Sequence, residues 1–125
     1  MDALRAVLTV VMMLSVAGCL QASAPHLDFT AAPCIPSMDP YTGPKAGILN
    51  HSWTDHRMLS VEAYLKTYCG GAVISGDYSV QGDQLVLLYN VTADGPVTSC
   101  LCTHRLVYAI SNIERRDFQV VIQER

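Results

Sequence analysis

The feature that most constrains the fold of this chain is the alternation of apolar and polar side chains between residues 57 and 67. The apolar members are Leu59, Val61, Ala63 and Leu65, and the polar members between them are Ser60, Glu62, Tyr64 and Lys66. A period of two residues is that of a β-strand, in which successive side chains point to opposite faces of the sheet. The run therefore predicts a strand that buries one face in a core and turns the other toward solvent.

Further β-type runs follow, and turn residues separate them. Residues 77–80 and 84–91 flank the compact turn Gln81-Gly82-Asp83, which predicts a β-hairpin. Near the C-terminus, apolar residues alternate through Leu106, Tyr108 and Ile110 and again through Phe118, Val120 and Ile122. Because residues 111–117 read as a polar turn, these two runs are expected to pair as a final hairpin.

The whole pattern amounts to about six or seven strands at intervals of roughly 8–12 residues, without a convincing amphipathic helix. It predicts an all-β fold, a small antiparallel β-sandwich over residues 46–125. The expected final hairpin resembles that of immunoglobulin-like and transthyretin-like sandwiches. A small β-barrel is the alternative architecture.

Residues 19–45 are rich in alanine, serine and proline. Proline lacks a backbone N–H and fixes its own φ angle, so it disfavours both helices and central strands. We therefore predict that this segment is a tether that precedes the folded domain, with Cys34 available to pin it to that domain.

Residues 1–18 have the composition of a signal peptide, because the basic residue Arg5 precedes an uncharged apolar run that ends at Gly18. The run is shorter than the ~20 apolar residues that cross a bilayer. It closes on Val16-Ala17-Gly18-Cys19, which resembles the lipobox of bacterial lipoproteins.

The resemblance implies that Cys19 carries the lipid, palmitate included, and becomes the new N-terminus. It also implies a location at the outer membrane, facing the periplasm, because Leu20 is not the aspartate that retains lipoproteins at the inner membrane. An ordinary signal peptide, cleaved after Ala17 or Ala24, is the alternative.

The chain has five cysteines, so assigning Cys19 to the lipid leaves an even number. In an oxidising compartment, Cys34, Cys69, Cys100 and Cys102 are then expected to form two structural disulfides. Cys100 and Cys102 lie on the same face of a predicted strand, roughly 6.5–7 Å apart, which disfavours a bond between them. The pairing 34–100 with 69–102 and the pairing 34–102 with 69–100 both remain open.

A second interpretation of the same region is a metal site. On an extended strand, Cys100, Cys102 and His104 point to one side, and thiolate and imidazole ligands suit zinc or copper. We keep this as the alternative function, a periplasmic zinc- or copper-binding protein, and predict no cofactor for the main interpretation.

Composition and motifs exclude other classes of function. The net charge is −3 and no basic run is longer than Arg115-Arg116, which argues against a nucleic-acid partner. The sequence holds no Gly-x-Ser-x-Gly, His-Glu-x-x-His or phosphate-loop motif, so no catalytic residues are predicted.

These observations together predict a lipid-anchored, disulfide-stapled envelope protein that is not an enzyme. It would be a binding or structural module for a protein or envelope partner, such as an accessory subunit, an inhibitor or an immunity-type protein. Trp53, in a polar stretch, and Tyr64, on the polar face of its strand, are the candidate contact residues. Residues 50–102 are similar to small exported bacterial proteins without an assigned activity, so the resemblance transfers no site residues.

Overall fold

The computed structural model describes residues 24–55 and 57–125. Within them the chain forms seven strands and no helix, which confirms the all-β prediction. The strands are β1 (His26–Ala32), β2 (Ala46–Asp55), β3 (Met58–Tyr68), β4 (Ala72–Gln81), β5 (Gln84–Ala93), β6 (Leu101–Ser111) and β7 (Gln119–Glu124). In this part of the chain, no helix has the length and apolar character needed to cross a membrane.

The strands form two separate sheets, which confirms the predicted sandwich. One sheet has four strands in the order β1-β6-β3-β2, and the other has three in the order β4-β5-β7. Every pair in the four-stranded sheet is antiparallel. The antiparallel prediction also holds for β4 and β5, whereas β5 and β7 run parallel.

The alternation in β3 builds the core as its sequence predicts. Its inward residues Leu59, Val61, Ala63 and Leu65 are at most 1% exposed. They lie beside the inward residues of β6, and the other sheet covers both strands with Leu85, Leu87 and Tyr89. Burying a large aliphatic side chain contributes roughly 1.5–3 kcal/mol, so these positions supply much of the stability of the domain.

Tyr108 joins the two sheets by a hydrogen bond. It is fully buried on β6, and its hydroxyl donates to the carbonyl oxygen of Leu88 on β5 over 2.8 Å. Burial raises the pKa of Tyr108, with a smaller contribution from Tyr89, so the phenol stays protonated and remains a donor.

The predicted hairpin around residues 81–83 is confirmed. β4 and β5 pair along their full length, and Gln81 opposite Gln84 closes the ladder. Gly82 has a φ of +62°, in the left-handed region that glycine adopts without steric cost, which explains its place in the turn.

The predicted final hairpin between residues 106–110 and 118–122 is wrong. β6 pairs with β1 on one side and β3 on the other, so neither of its edges is free for β7. β7 instead pairs in parallel with β5, and residues 112–118 carry the chain from one sheet to the other. The apolar alternation does indicate a strand, since Phe118, Val120 and Ile122 pack against the core, but that strand pairs with β5 and not with β6.

The tether predicted over residues 19–45 also needs correction, because residues 26–32 are the edge strand β1. Leu27 and Phe29 pack against the core, and Phe29 lies opposite Tyr108. Pro25 and Pro33 flank this strand rather than interrupt it, as is typical of edge strands. Strand β1 thus belongs to the sandwich, although it precedes the predicted domain start at residue 46. The predicted signal peptide and Cys19 lie outside the described residues.

Candidate functional site

Two disulfides meet at one end of the sandwich, which we call the cysteine end. Cys34 is bonded to Cys102 with their Cα atoms 5.0 Å apart, and Cys69 is bonded to Cys100 with their Cα atoms 5.6 Å apart. Cys100 and Cys102 therefore lie in separate bridges, as the sequence predicts. Of the two pairings that the sequence left open, the structure has 34–102 with 69–100.

Strand register explains this pairing. The β3–β6 ladder ends with Tyr68 opposite Leu101, and the N–H of Cys69 then donates to the carbonyl of Cys100 over 3.0 Å. Cys34 follows β1 with a positive φ of 52°, and the next residue, Ile35, donates its N–H to the carbonyl of Thr103 over 2.7 Å. That bond places Cys34 against β6, next to Cys102.

The two disulfides lie against each other and against a buried histidine. The Sγ atoms of Cys34, Cys69 and Cys102 all lie within 4.8 Å of one another. His104 is 6% exposed, and its Nε2 atom lies 3.4 Å from Sγ of Cys102 and 2.9 Å from the carbonyl oxygen of Tyr68. His104 faces inward because it follows Cys102 by two residues on β6.

The metal alternative drawn from the sequence grouped Cys100, Cys102 and His104. In this structure both cysteines of that set are bonded in disulfides, Cys100 to Cys69 and Cys102 to Cys34. The three sulfurs brought closest together include those of Cys34 and Cys69, which the sequence spacing did not associate with His104.

A cleft of about 350 Å³ opens on the outer side of the four-stranded sheet, and two of its lining residues, Tyr68 and Leu101, are chain neighbours of the bridged cysteines. We call it the tyrosine–lysine cleft. Its lining residues are Pro40, Tyr41, Gly43, Lys45, Lys66, Thr67, Tyr68 and Leu101. Tyr41 is 69% exposed and Tyr68 is 41% exposed, so two aromatic side chains stand at this cleft with much of their surface in water.

Asp39 holds the loop whose residues Pro40, Tyr41 and Gly43 line the cleft. Its carboxylate accepts hydrogen bonds from the N–H of Tyr41 over 2.9 Å and from the hydroxyl of Thr42 over 3.0 Å. These two bonds lower the pKa of Asp39, and the nearby Lys66 adds to the effect. The ammonium of Lys66 donates to the carbonyl of Thr42, and this bond ties the loop to β3.

Tyr64 lies near this cleft, half-buried on the outer face of β3. Its ring covers Gly47 on β2, where an added Cβ would lie 2.7 Å from Cε1 of the ring. The ammonium of Lys66, which lines the cleft, is 5.6 Å from the centre of the Tyr64 ring. Tyr64 therefore lies beside the tyrosine–lysine cleft, but part of its ring is packed against Gly47 and is not available to a partner.

Trp53 lies at the opposite end of the molecule. It belongs to β2 rather than to a polar loop, pairs with Leu59 and packs half-buried against the core. Its ring lies 6.5 Å from that of Phe118, and the guanidinium of Arg115 is 5.7 Å from it. A smaller cleft of about 200 Å³ adjoins it. The structure thus does not bring Trp53 and Tyr64 together.

Tyr41 and Tyr68 are the exposed residues that the sequence-based choice of contacts missed. The segment Asp39-Pro40-Tyr41-Thr42-Gly43 carries turn residues on both sides of an aromatic side chain, which is the signal that points to Tyr41. Tyr68 continues the outward face of β3 two residues after Lys66, so the alternation of that strand is the signal that points to its exposure.

No protein-family model, curated protein or solved structure matches the chain.

Proposed function

We propose that this chain is a lipid-anchored envelope protein that binds a protein partner through its cysteine end and catalyses no reaction. The observation that carries the proposal is the tyrosine–lysine cleft, where Tyr41 and Tyr68 stand exposed beside two disulfides. Tyrosines are enriched in protein interfaces because a large apolar ring and a hydroxyl bind at low conformational cost.

The disulfides support binding because they fix the elements that form the cleft. Cys34–Cys102 closes a separation of 68 residues and Cys69–Cys100 one of 31. Each bridge contributes about 2–4 kcal/mol by restricting the unfolded chain, and in the folded state each holds its segment in place. A surface fixed in advance loses less entropy when a partner binds.

The location in the envelope is supported by the sequence and by the cysteine count. Disulfides of this kind persist in oxidising compartments. Four of the five cysteines are paired with one another, which leaves Cys19, at the end of the lipobox-like sequence, for the lipid. The non-enzymatic part of the proposal rests on the lack of a catalytic motif in the sequence.

The binding surface can be tested by photo-cross-linking in intact cells. Benzoylphenylalanine is placed at position 41 or 68, or at position 80 as a matched control. Val80 is 41% exposed, the same fraction as Tyr68, but it lies at the other end of the sandwich. We expect discrete cross-linked species from positions 41 and 68 only. Equal products from position 80, or none from 41 and 68, would contradict the proposal.

The anchor has its own test, metabolic labelling with palmitate. The wild-type chain should take up label and fractionate with the outer membrane, whereas Cys19→Ala should take up none and remain as a precursor or soluble protein. A labelled Cys19→Ala variant, or an unlabelled wild type, would show that the lipobox resemblance misleads.

A further inference from the structure

The cluster of sulfur atoms around His104 has a second use when its disulfides are reduced. We propose that the reduced chain binds one Zn²⁺ ion through the thiolates of Cys34, Cys69 and Cys102 and the imidazole of His104. The proposal rests on the geometry of these four side chains and is independent of the binding surface described above.

The spacing of the three sulfurs, and of His104 with Cys102, approaches that of a tetrahedral site. With Zn–S bonds of about 2.3 Å and a Zn–N bond of about 2.05 Å, tetrahedral ligands stand about 3.8 Å apart for two sulfurs and about 3.6 Å apart for sulfur and nitrogen. The three sulfurs lie within 4.8 Å of one another, and Nε2 of His104 is 3.4 Å from Sγ of Cys102. His104 is near Cys102 only, so the side chains of Cys34 and Cys69 must rotate after reduction to bring their sulfurs toward the imidazole.

The fold supplies these ligands from three different strand ends. Cys102 and His104 project from the inner face of β6, Cys69 follows β3, and Cys34 follows β1. Cys102 is 8% and His104 6% exposed, so two ligands are already out of water. Three cysteines and one histidine are an established donor set for structural zinc.

Reduction of the two disulfides requires an external reductant. Each disulfide takes up two electrons and two protons from a dithiol, which leaves as a disulfide. Zn²⁺ then displaces the thiol protons of Cys34, Cys69 and Cys102. Nε2 of His104 gives up its bond to the Tyr68 carbonyl, and its proton is replaced by one on Nδ1, which keeps the imidazole neutral.

The decisive experiment compares two variants that lose the same disulfide. Cys69→Ser removes a proposed ligand, whereas Cys100→Ser removes only that ligand's disulfide partner. Each protein is reduced with a phosphine without metal and titrated with Co²⁺, whose visible absorption reports a tetrahedral thiolate site. The bound Co²⁺ is then displaced with Zn²⁺ to obtain the zinc affinity.

We expect the parent chain and Cys100→Ser to bind one ion with the same affinity and spectrum. Cys69→Ser should bind at least about a hundredfold more weakly, since even an outer-shell change costs 10–100-fold. Cys34→Ser should behave like Cys69→Ser, and bound zinc should raise the melting temperature of the reduced parent. Equal binding or equal loss in Cys69→Ser and Cys100→Ser would overturn the proposal, as would a parent chain that gives no tetrahedral spectrum.

Discussion

Gly76 on β4 occupies a position where the two sheets approach so closely that a methyl group does not fit. A Cβ added to Gly76 would lie 2.6 Å from Cε2 and 2.8 Å from Cγ of Phe29, a contact that real Cβ atoms essentially never show. Phe29 is held in turn by an edge-on contact with Tyr108, with 4.9 Å between their ring centres. Gly76→Ala must therefore displace the Phe29 ring.

The size of the effect follows from two opposing contributions. Overpacking of a core costs about 1–3 kcal/mol, while alanine in place of glycine contributes about 0.4–1 kcal/mol by restricting the unfolded chain. The net loss of stability should be about 1–2 kcal/mol, or a fall in melting temperature of roughly 4–16 °C for a domain of this size. In a Phe29→Ala background the clash disappears, so the same substitution should stabilise by about 0.4–1 kcal/mol.

Urea unfolding of the four proteins in this double-mutant cycle measures the coupling, which should be about 1.5–3 kcal/mol. Gly82→Ala is the matched control. At Gly82 a Cβ meets no atom within 4 Å, and its φ of +62° imposes the same backbone strain in either background. Its effect should therefore add to that of Phe29→Ala. An equal loss from Gly76→Ala in both backgrounds would refute the packing described here.

Three further predictions concern the core and the bridges. Tyr108→Phe should lower the free energy of unfolding by about 1–2 kcal/mol with an unchanged m-value, because the Leu88 carbonyl loses its buried donor. A loss of stability below ~0.3 kcal/mol would count against that hydrogen bond. Stability should fall above about pH 10 by up to ~1.4 kcal/mol per pH unit for each buried tyrosine. Burial raises the pKa of both Tyr89 and Tyr108, so above about pH 10 these tyrosines ionise in the unfolded chain but not in the folded one. Tyr108→Phe should therefore make stability fall less steeply with pH. An unchanged pH dependence in this variant would contradict the assignment to the buried tyrosines. Reduction of both disulfides without metal should lower the melting temperature by more than about 10 °C, because each bridge contributes about 2–4 kcal/mol. Circular dichroism measures this change. An unchanged melting temperature would show that the disulfides do not stabilise the domain.

Local patterns in the sequence predicted the elements whose partners lie close in the chain. The alternation around Val61 and Ala63 identified β3 because one face of that strand is buried and the other is not. The turn at Gly82 identified the β4–β5 hairpin because it joins strands that pair with each other.

The elements that the sequence mispredicted depend on distant partners. β7 follows β6 but pairs with β5, since the edges of β6 are taken by β1 and β3. Periodicity identifies strands and not their neighbours, so it could not distinguish these arrangements. The prediction of a tether is wrong at β1, because Pro25 and Pro33 are compatible with the ends of an edge strand.

The sequence predicted only part of the candidate site, because the rest of the site also depends on residues that are distant in the chain. The four paired cysteines followed from parity and compartment, but the choice of partner for Cys102 depends on where β1 ends, which the sequence did not give. Tyr41 and Tyr68 become neighbours across one cleft only after the 33–45 segment folds back on β3 and β6.

The most direct test of this account is the disulfide pattern of the protein isolated from its host cells. Cells are lysed in an alkylating agent that blocks free thiols, and the unreduced protein is digested with a protease that cleaves after Leu101, which separates Cys100 from Cys102. Mass spectrometry should find Cys34 joined to Cys102 and Cys69 joined to Cys100, with no alkylated thiol among the four. The pairing 34–100 with 69–102, or four alkylated thiols in the isolated protein, would contradict the disulfide-held cysteine end on which the proposed binding function rests.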